Sequence, residues 1–145
     1  MTFSENSPGN GYNIKVGTVL RLHVKDTTPP KYKRFIIVGF SQDKLSLATV
    51  YINSEINTNI NWSQEQQTLQ LLFSSEGRPY LERDSYIDCS KLMFRDTEEI
   101  YSAVDENPNV VIGELSLEDL KYVMDTLKYA PTIKGKYKKR YGLFD

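Results

Sequence analysis

The stretch from Asp84 to Leu127 constrains the fold of this chain more than any other. It reads DSYIDCSKLMFRD and then, after a turn, VVIGELSLEDLKYVMDTL. The first part predicts a strand that reaches an Asp-Cys-Ser turn. The second predicts a short strand ending at Gly113 and a helix capped by Ser116. Leu117, Leu120, Val123, Met124 and Leu127 recur at helical spacing and give that helix an apolar stripe. Pro131 ends it. A small β-structure sealed by one C-terminal helix is therefore expected.

The upstream half supplies the strands. In TVLRLHVK, Leu20, Leu22 and Val24 alternate with Val19, Arg21, His23 and Lys25, which is the pattern of a half-buried strand. DTTPPKYK is a loop, because two prolines interrupt any ladder. RFIIVGF is a continuous apolar run suited to a central strand, and LSLATVYI is a third strand rich in β-branched residues. NSEINTNINWSQEQQ reads as a long polar loop whose Trp62 either stacks on a base or, the favoured reading, covers the edge of the β-structure. TLQLLF and RPYLERDSYIDC predict two further strands around the SSEG turn. Asp96 and Glu99 have the spacing of a capping box for a short helix over EEIYSAV. Strands joined by short turns pair antiparallel, so the fold class is α+β: a curled small sheet or barrel with helices packed on it.

With 145 residues, 39% of them hydrophobic, one domain with an ordinary core is expected. We read residues 1–15 as a flexible leader, 16–130 as the domain and 131–145 as a basic, aromatic tail without a core-facing pattern. No apolar run reaches the roughly 18 residues of a membrane span, and the polar start lacks a signal-peptide core. A cytoplasmic protein without a membrane partner is the expectation. The chain has one cysteine and one histidine. Cys89 leaves no intramolecular disulfide, and the pair cannot supply a zinc site from the usual soft ligands. Neither metal nor cofactor is expected.

Charge is unevenly distributed. Residues 1–60 carry seven Lys/Arg against four Asp/Glu, 61–130 six against fourteen, and 131–145 five against one. If the fold joins the two basic segments, they form a face that attracts phosphates.

The order of these segments resembles the MazF/PemK family of toxin ribonucleases. VGTVLRLHV resembles that family's opening strand after a glycine, and KRFIIVGF its second strand after a flexible loop. YINSEI resembles the stretch where members show Ile-Thr-Ser. SYIDCSKL followed by IGELSLEDL resembles the closing strand, turn and helix. The likeness spans residues 16–128. It implies a small SH3-like antiparallel β-barrel with a C-terminal amphipathic helix and one or more short helices. It also implies a homodimer, a cognate small antitoxin protein as partner, and metal-independent cleavage of single-stranded RNA. In that reaction the ribose 2′-hydroxyl attacks the adjacent phosphate, leaving a cyclic phosphate and a 5′-hydroxyl.

Such chemistry needs a base, a cation for the phosphorane charge and an acid. Arg34 stands where the family's arginine lies, and its planar fork suits a phosphate. Asn53 stands at the family's threonine, with Ser54 beside it. Asn53 can donate a hydrogen bond but cannot exchange a proton at neutral pH. His23, whose side chain type titrates near neutrality, is a candidate general base. Asp88 is a candidate to orient Arg34 or act as base, since Ser90 occupies the position where members often carry Asp. Lys31, Lys33 and Arg34 are expected to bind RNA. So are Lys136, Lys138, Lys139 and Arg140, which are interleaved with Tyr137 and Tyr141 as phosphate pairing and base stacking would require. Asn53 and Ser90 also leave open a catalytically degenerate member that binds RNA or a protein without cutting. The mild net charge leaves open an unrelated small-barrel adaptor.

Overall fold

The computed structural model describes residues 14–55 and 63–144. Trp62 and the first thirteen residues of the expected leader lie outside them. Seven strands form one antiparallel, curled sheet: β1 (Thr18–Val24), β2 (Lys31–Phe40), β3 (Ser46–Asn53), β4 (Gln70–Phe73), β5 (Ser85–Asp88), β6 (Met93–Asp96) and β7 (Val111–Glu114). Their order is β4-β5-β3-β2-β1-β7. Strand β3 is the hub. One edge pairs with β2; the other is shared by β6, from Ser46 to Thr49, and β5, at Ile52 and Asn53. The helices are α1 (Gln64–Thr68), α2 (Thr97–Glu106), α3 (Leu117–Tyr129) and α4 (Gly135–Arg140). None is long and apolar enough to cross a membrane.

The unbroken apolar run of β2 has a simple cause: helices cover both faces of the sheet. Val19, Ile36, Val38, Val50, Ile52 and Ile87 join one core with Val123 and Leu127 of α3. Leu20, Phe35, Ile37 and Leu47 join the other with Ile100 and Val104 of α2. Alternate residues of the central strands β1, β2 and β3 therefore serve different cores.

Five expectations are corrected. The polar stretch before β4 is not all loop. Ser63 accepts from the Gln66 amide and the Gln66 side chain accepts from Ser63 N, a capping box that starts α1. MFRD, left unassigned from sequence, is a strand, because Phe94 and Arg95 pair with Ala48 and Leu47. Asp96 does cap α2, but through the Glu98 amide at 3.1 Å; among the described residues Glu99 makes no return bond. Leu117, the first residue of α3, is 87% exposed, so the buried stripe begins only at Leu120.

The fifth concerns the tail, which is structural. α3 is not the last helix. α4 ends in a Schellman motif, with Gly142 in the left-handed region at φ 74° and Leu143 N donating to Lys138 O at 2.7 Å. The motif turns the chain inward, and Ile133, Tyr141 and Leu143 are buried in the α3-side core. Tyr141 also hydrogen-bonds Ser46 through its hydroxyl at 2.9 Å.

Asp119 in the first turn of α3 accepts two bonds from Arg78, 2.8 Å from Nε and 3.0 Å from Nη2. These bonds hold the Asp119 carboxyl below its ordinary range, against the opposing effect of burial. A carboxyl whose folded pKa is depressed stabilises the fold above its unfolded pKa, and that stabilisation disappears as pH falls through the folded value. Arg78→Met is expected to cost about 1–3 kcal/mol at neutral pH, because it leaves a largely buried carboxylate unpaired. The cost should shrink once Asp119 protonates in acid. Urea unfolding at neutral pH and in acid, for both proteins, measures the difference.

Candidate functional site

The α3-side face of the sheet changes character along its length. At one end it is core, with Val19, Ile36 and Ile52. Two residues further along β1 and β2 it becomes cationic. Arg21 lies opposite Arg34, and His23 opposite Tyr32. Directly opposed residues share a face. Arg34 also pairs with Ile52 of β3, which fixes the face as the one that carries Ile52. Arg34, His23, Arg21 and Tyr32 thus form one group. Tyr32, 58% exposed, is held between a guanidinium and an imidazole. The Arg21 Cζ lies 4.6 Å from its ring centroid and the His23 ring 5.2 Å away, edge-on.

Tyr32 and Arg34 of this group line a cleft of about 250 Å³ together with Lys31, Lys33, Ser54, Glu82 and Arg83. The 74–84 segment forms its wall and anchors Arg34. Arg34 Nε donates to Tyr80 O at 3.2 Å and Nη2 to Glu82 Oε1 at 3.0 Å. Held at two corners, the guanidinium has a fixed plane, and among the described residues its Nη1 makes no hydrogen bond. A fixed fork beside Arg83, Lys31 and the Ser54 hydroxyl can take a phosphate in a bidentate grip. A base stacked on the exposed Tyr32 ring would lie next to it.

The fold divides the predicted catalytic set. Arg34 and Ser54 line this cleft, whereas His23, on the same face as Arg34, lines with Tyr32 the groove under α2 beside Glu98 and Glu106. Asn53 and Asp88 do not join them, because each follows a core-facing isoleucine of the Ile52–Ile87 pair and so points to the opposite face. Asp88 is consumed structurally. It is buried and accepts from Gln70 Nε2 at 2.8 Å, Ser90 N at 3.0 Å and Ser90 Oγ at 2.5 Å. It neither orients Arg34, a role taken by Glu82 and Tyr80, nor sits beside it as a base. Ser90, where a carboxylate was sought, serves to hold Asp88. Burial pushes the Cys89 thiol well above its ordinary pKa, as expected of a core residue.

Asn53 accepts a hydrogen bond from Lys33 Nζ. Lys33 also lies over the Tyr51 ring, 4.9 Å from its centroid. Its pKa is lowered to about 8, first by burial and then by Lys31 and Lys91; Asp88 and Asp26 oppose the shift.

The basic tail residues lie elsewhere. The Tyr141 backbone abuts Gly39, five residues along β2 from Arg34 and about 16 Å away at the usual rise per residue. Lys138 Nζ donates to Lys128 O at 2.9 Å and Ala130 O at 2.8 Å, satisfying the end of α3. Lys136, Lys139 and Arg140 are exposed on the same short helix. The two basic segments of the sequence therefore do not merge into one face at Arg34.

Sequence reasoning missed Glu82, Arg83 and the pairing of Arg21 with Arg34. The first two sit in a segment read as strand, and only the tertiary fold brings them to β2. The Arg21–Arg34 pairing depends on a register that the proline-rich loop does not reveal. No protein-family model matches this chain, and no curated protein matches it.

Proposed function

We propose that the protein is a metal-independent endoribonuclease of the MazF/PemK type, with an SH3-like barrel, acting on single-stranded RNA in the cytoplasm. The observation that carries this reading is the shared face of Arg34, Tyr32 and His23 beside an open cationic cleft. Arg34 would stabilise the charge gained by the phosphate, and Tyr32 would stack on a base. His23 lies diagonally across the strand pair from Arg34, a Cβ separation of about 7–8 Å. Arg21 stacked on Tyr32 fills the crossing diagonal, so the ribose-phosphate would lie over that pair, with His23 taking the 2′-hydroxyl proton and water protonating the leaving 5′-oxygen. Ser54 would donate to a phosphate oxygen in place of the family's threonine. A homodimer and a small antitoxin are the partners this reading brings with it.

The test is incubation with a long single-stranded RNA in EDTA. The wild type is expected to cut and to leave cyclic-phosphate ends. Arg34→Ala, at a partly exposed position, should keep its fold and lose about 10²–10³-fold in rate. A wild type that binds RNA and never cuts it removes the nuclease reading. The turning away of Asn53 and Asp88 favours that second reading, an RNA-binding relative without chemistry.

A further inference from the structure

We infer that the opposite face of the same strand end, around Lys33, takes a second phosphate of the bound RNA, so that the strand passes over the open end of the β2–β3 hairpin. The inference rests on the proposed RNA binding at Arg34. Alternation along β2 places Tyr32 and Arg34 on one face and Lys31 and Lys33 on the other, yet all four border the same cleft. The cleft is therefore reached from both sides of the sheet.

On the back of the strand end three lysines, Lys31, Lys33 and Lys91, outnumber the two carboxylates near them, Asp26 and Asp88. Lys31 and Lys91 both oppose the charge on Lys33, and among the described residues none of the three forms an ion pair. The two nearby carboxylates are committed elsewhere. Asp26 pairs with Arg95 Nη1 at 3.1 Å and accepts from the Tyr51 hydroxyl. Asp88 is satisfied by Gln70 and Ser90. Arg95 itself keeps a buried Nε without a hydrogen-bond partner. Asn53 fixes the Lys33 ammonium through its side-chain oxygen, a neutral acceptor. A phosphate would balance the excess of lysine charge that Asp26 and Asp88 leave. Because Lys33 loses its proton near pH 8 in the free protein, this contact weakens as pH rises through that value and is full below it.

The experiment is fluorescence anisotropy with single-stranded oligonucleotides methylated at every 2′-hydroxyl, which blocks cleavage. A dinucleotide spans only the Arg34 side, while a strand of about six nucleotides spans both. Lys33→Met and Lys91→Gln are each expected to weaken the longer strand about five- to tenfold and to reduce the salt dependence by about one phosphate contact. Lys91→Gln should not change dinucleotide binding, because Lys91 does not line the cleft beside Arg34. Wild-type affinity for the longer strand should fall as pH passes 8, whereas Lys33→Arg should not show that fall. Lys91 is exposed on a turn, so its variant tests the site without disturbing the core. If Arg34→Ala weakens the longer strand while both lysine variants bind it as the wild type does, the second site is refuted and the Arg34 site stands. If the wild type binds neither strand, both readings fall.

Discussion

A protein cut after Ala130 is expected to show no cooperative unfolding transition at room temperature. The missing segment holds Ile133, Tyr141 and Leu143, all buried against the α3-side core. Each fully buried side chain of this size is worth about 1.5–3 kcal/mol, so the loss approaches the roughly 5–15 kcal/mol that holds a whole domain together. Truncation also removes Lys138 from the last carbonyls of α3 and exposes Leu127 and Ala130. Circular dichroism against urea measures the result. A truncated protein that melts cooperatively near the full-length midpoint would mean that the tail is an accessory.

Gly39→Ala is the second large effect. A Cβ at this position would overlap the Tyr141 carbonyl oxygen and stand 3.0 Å from the Tyr141 Cβ. Backbone carbonyls do not move aside as side-chain ends do. Either the tail lifts, exposing Tyr141 and Leu143, or β2 bends at its bulge between Ile37 and Gly39. We expect a loss of about 2–4 kcal/mol, at or above the usual cost of overpacking because backbone is involved. Gly77→Ala is not a neutral comparison despite its open surroundings, since Gly77 has a positive φ of 75°. Gly135→Ala, with nothing near its Cβ and no such φ, is the proper control and should leave the urea midpoint close to that of the wild type. Equal midpoints for Gly39→Ala and Gly135→Ala would contradict the packing described here.

Much of the β-structure was legible because its physics is local. Alternation in TVLRLHV and the apolar run in RFIIVGF each correspond to a strand, and Ser116 caps α3 by accepting from Asp119 N at 3.1 Å. Local spacing fails where one face changes its surroundings. Val19 and Arg21 share a face, yet one meets α3 and the other faces the cleft side, so no single inside–outside label fits that strand. The tail was misread for a different reason. Its lysines and arginine dominate KGKYKKRY and conceal three core residues. The signal was present in YGLF, where a glycine followed by a leucine after basic residues is the sequence form of a Schellman stop. In the site, Arg34 was legible as a cation at a strand start. Its anchors at Tyr80 and Glu82 were not, because they lie 46 and 48 residues away.

The covering of both sheet faces by late elements has a consequence for synthesis. The β1–β2–β3 meander emerges from the ribosome before any of its covers: α2 begins at Thr97, α3 at Leu117 and α4 at Gly135. Until then two apolar surfaces and an unpaired β3 edge stand open together, the condition in which nascent chains associate wrongly. The sheet's α3-side core closes only after α4 has emerged and Tyr141 has seated against Gly39. The element that latches the sheet is therefore made about eighty residues after the meander it closes on, whose α3-side core stays unfinished for that interval.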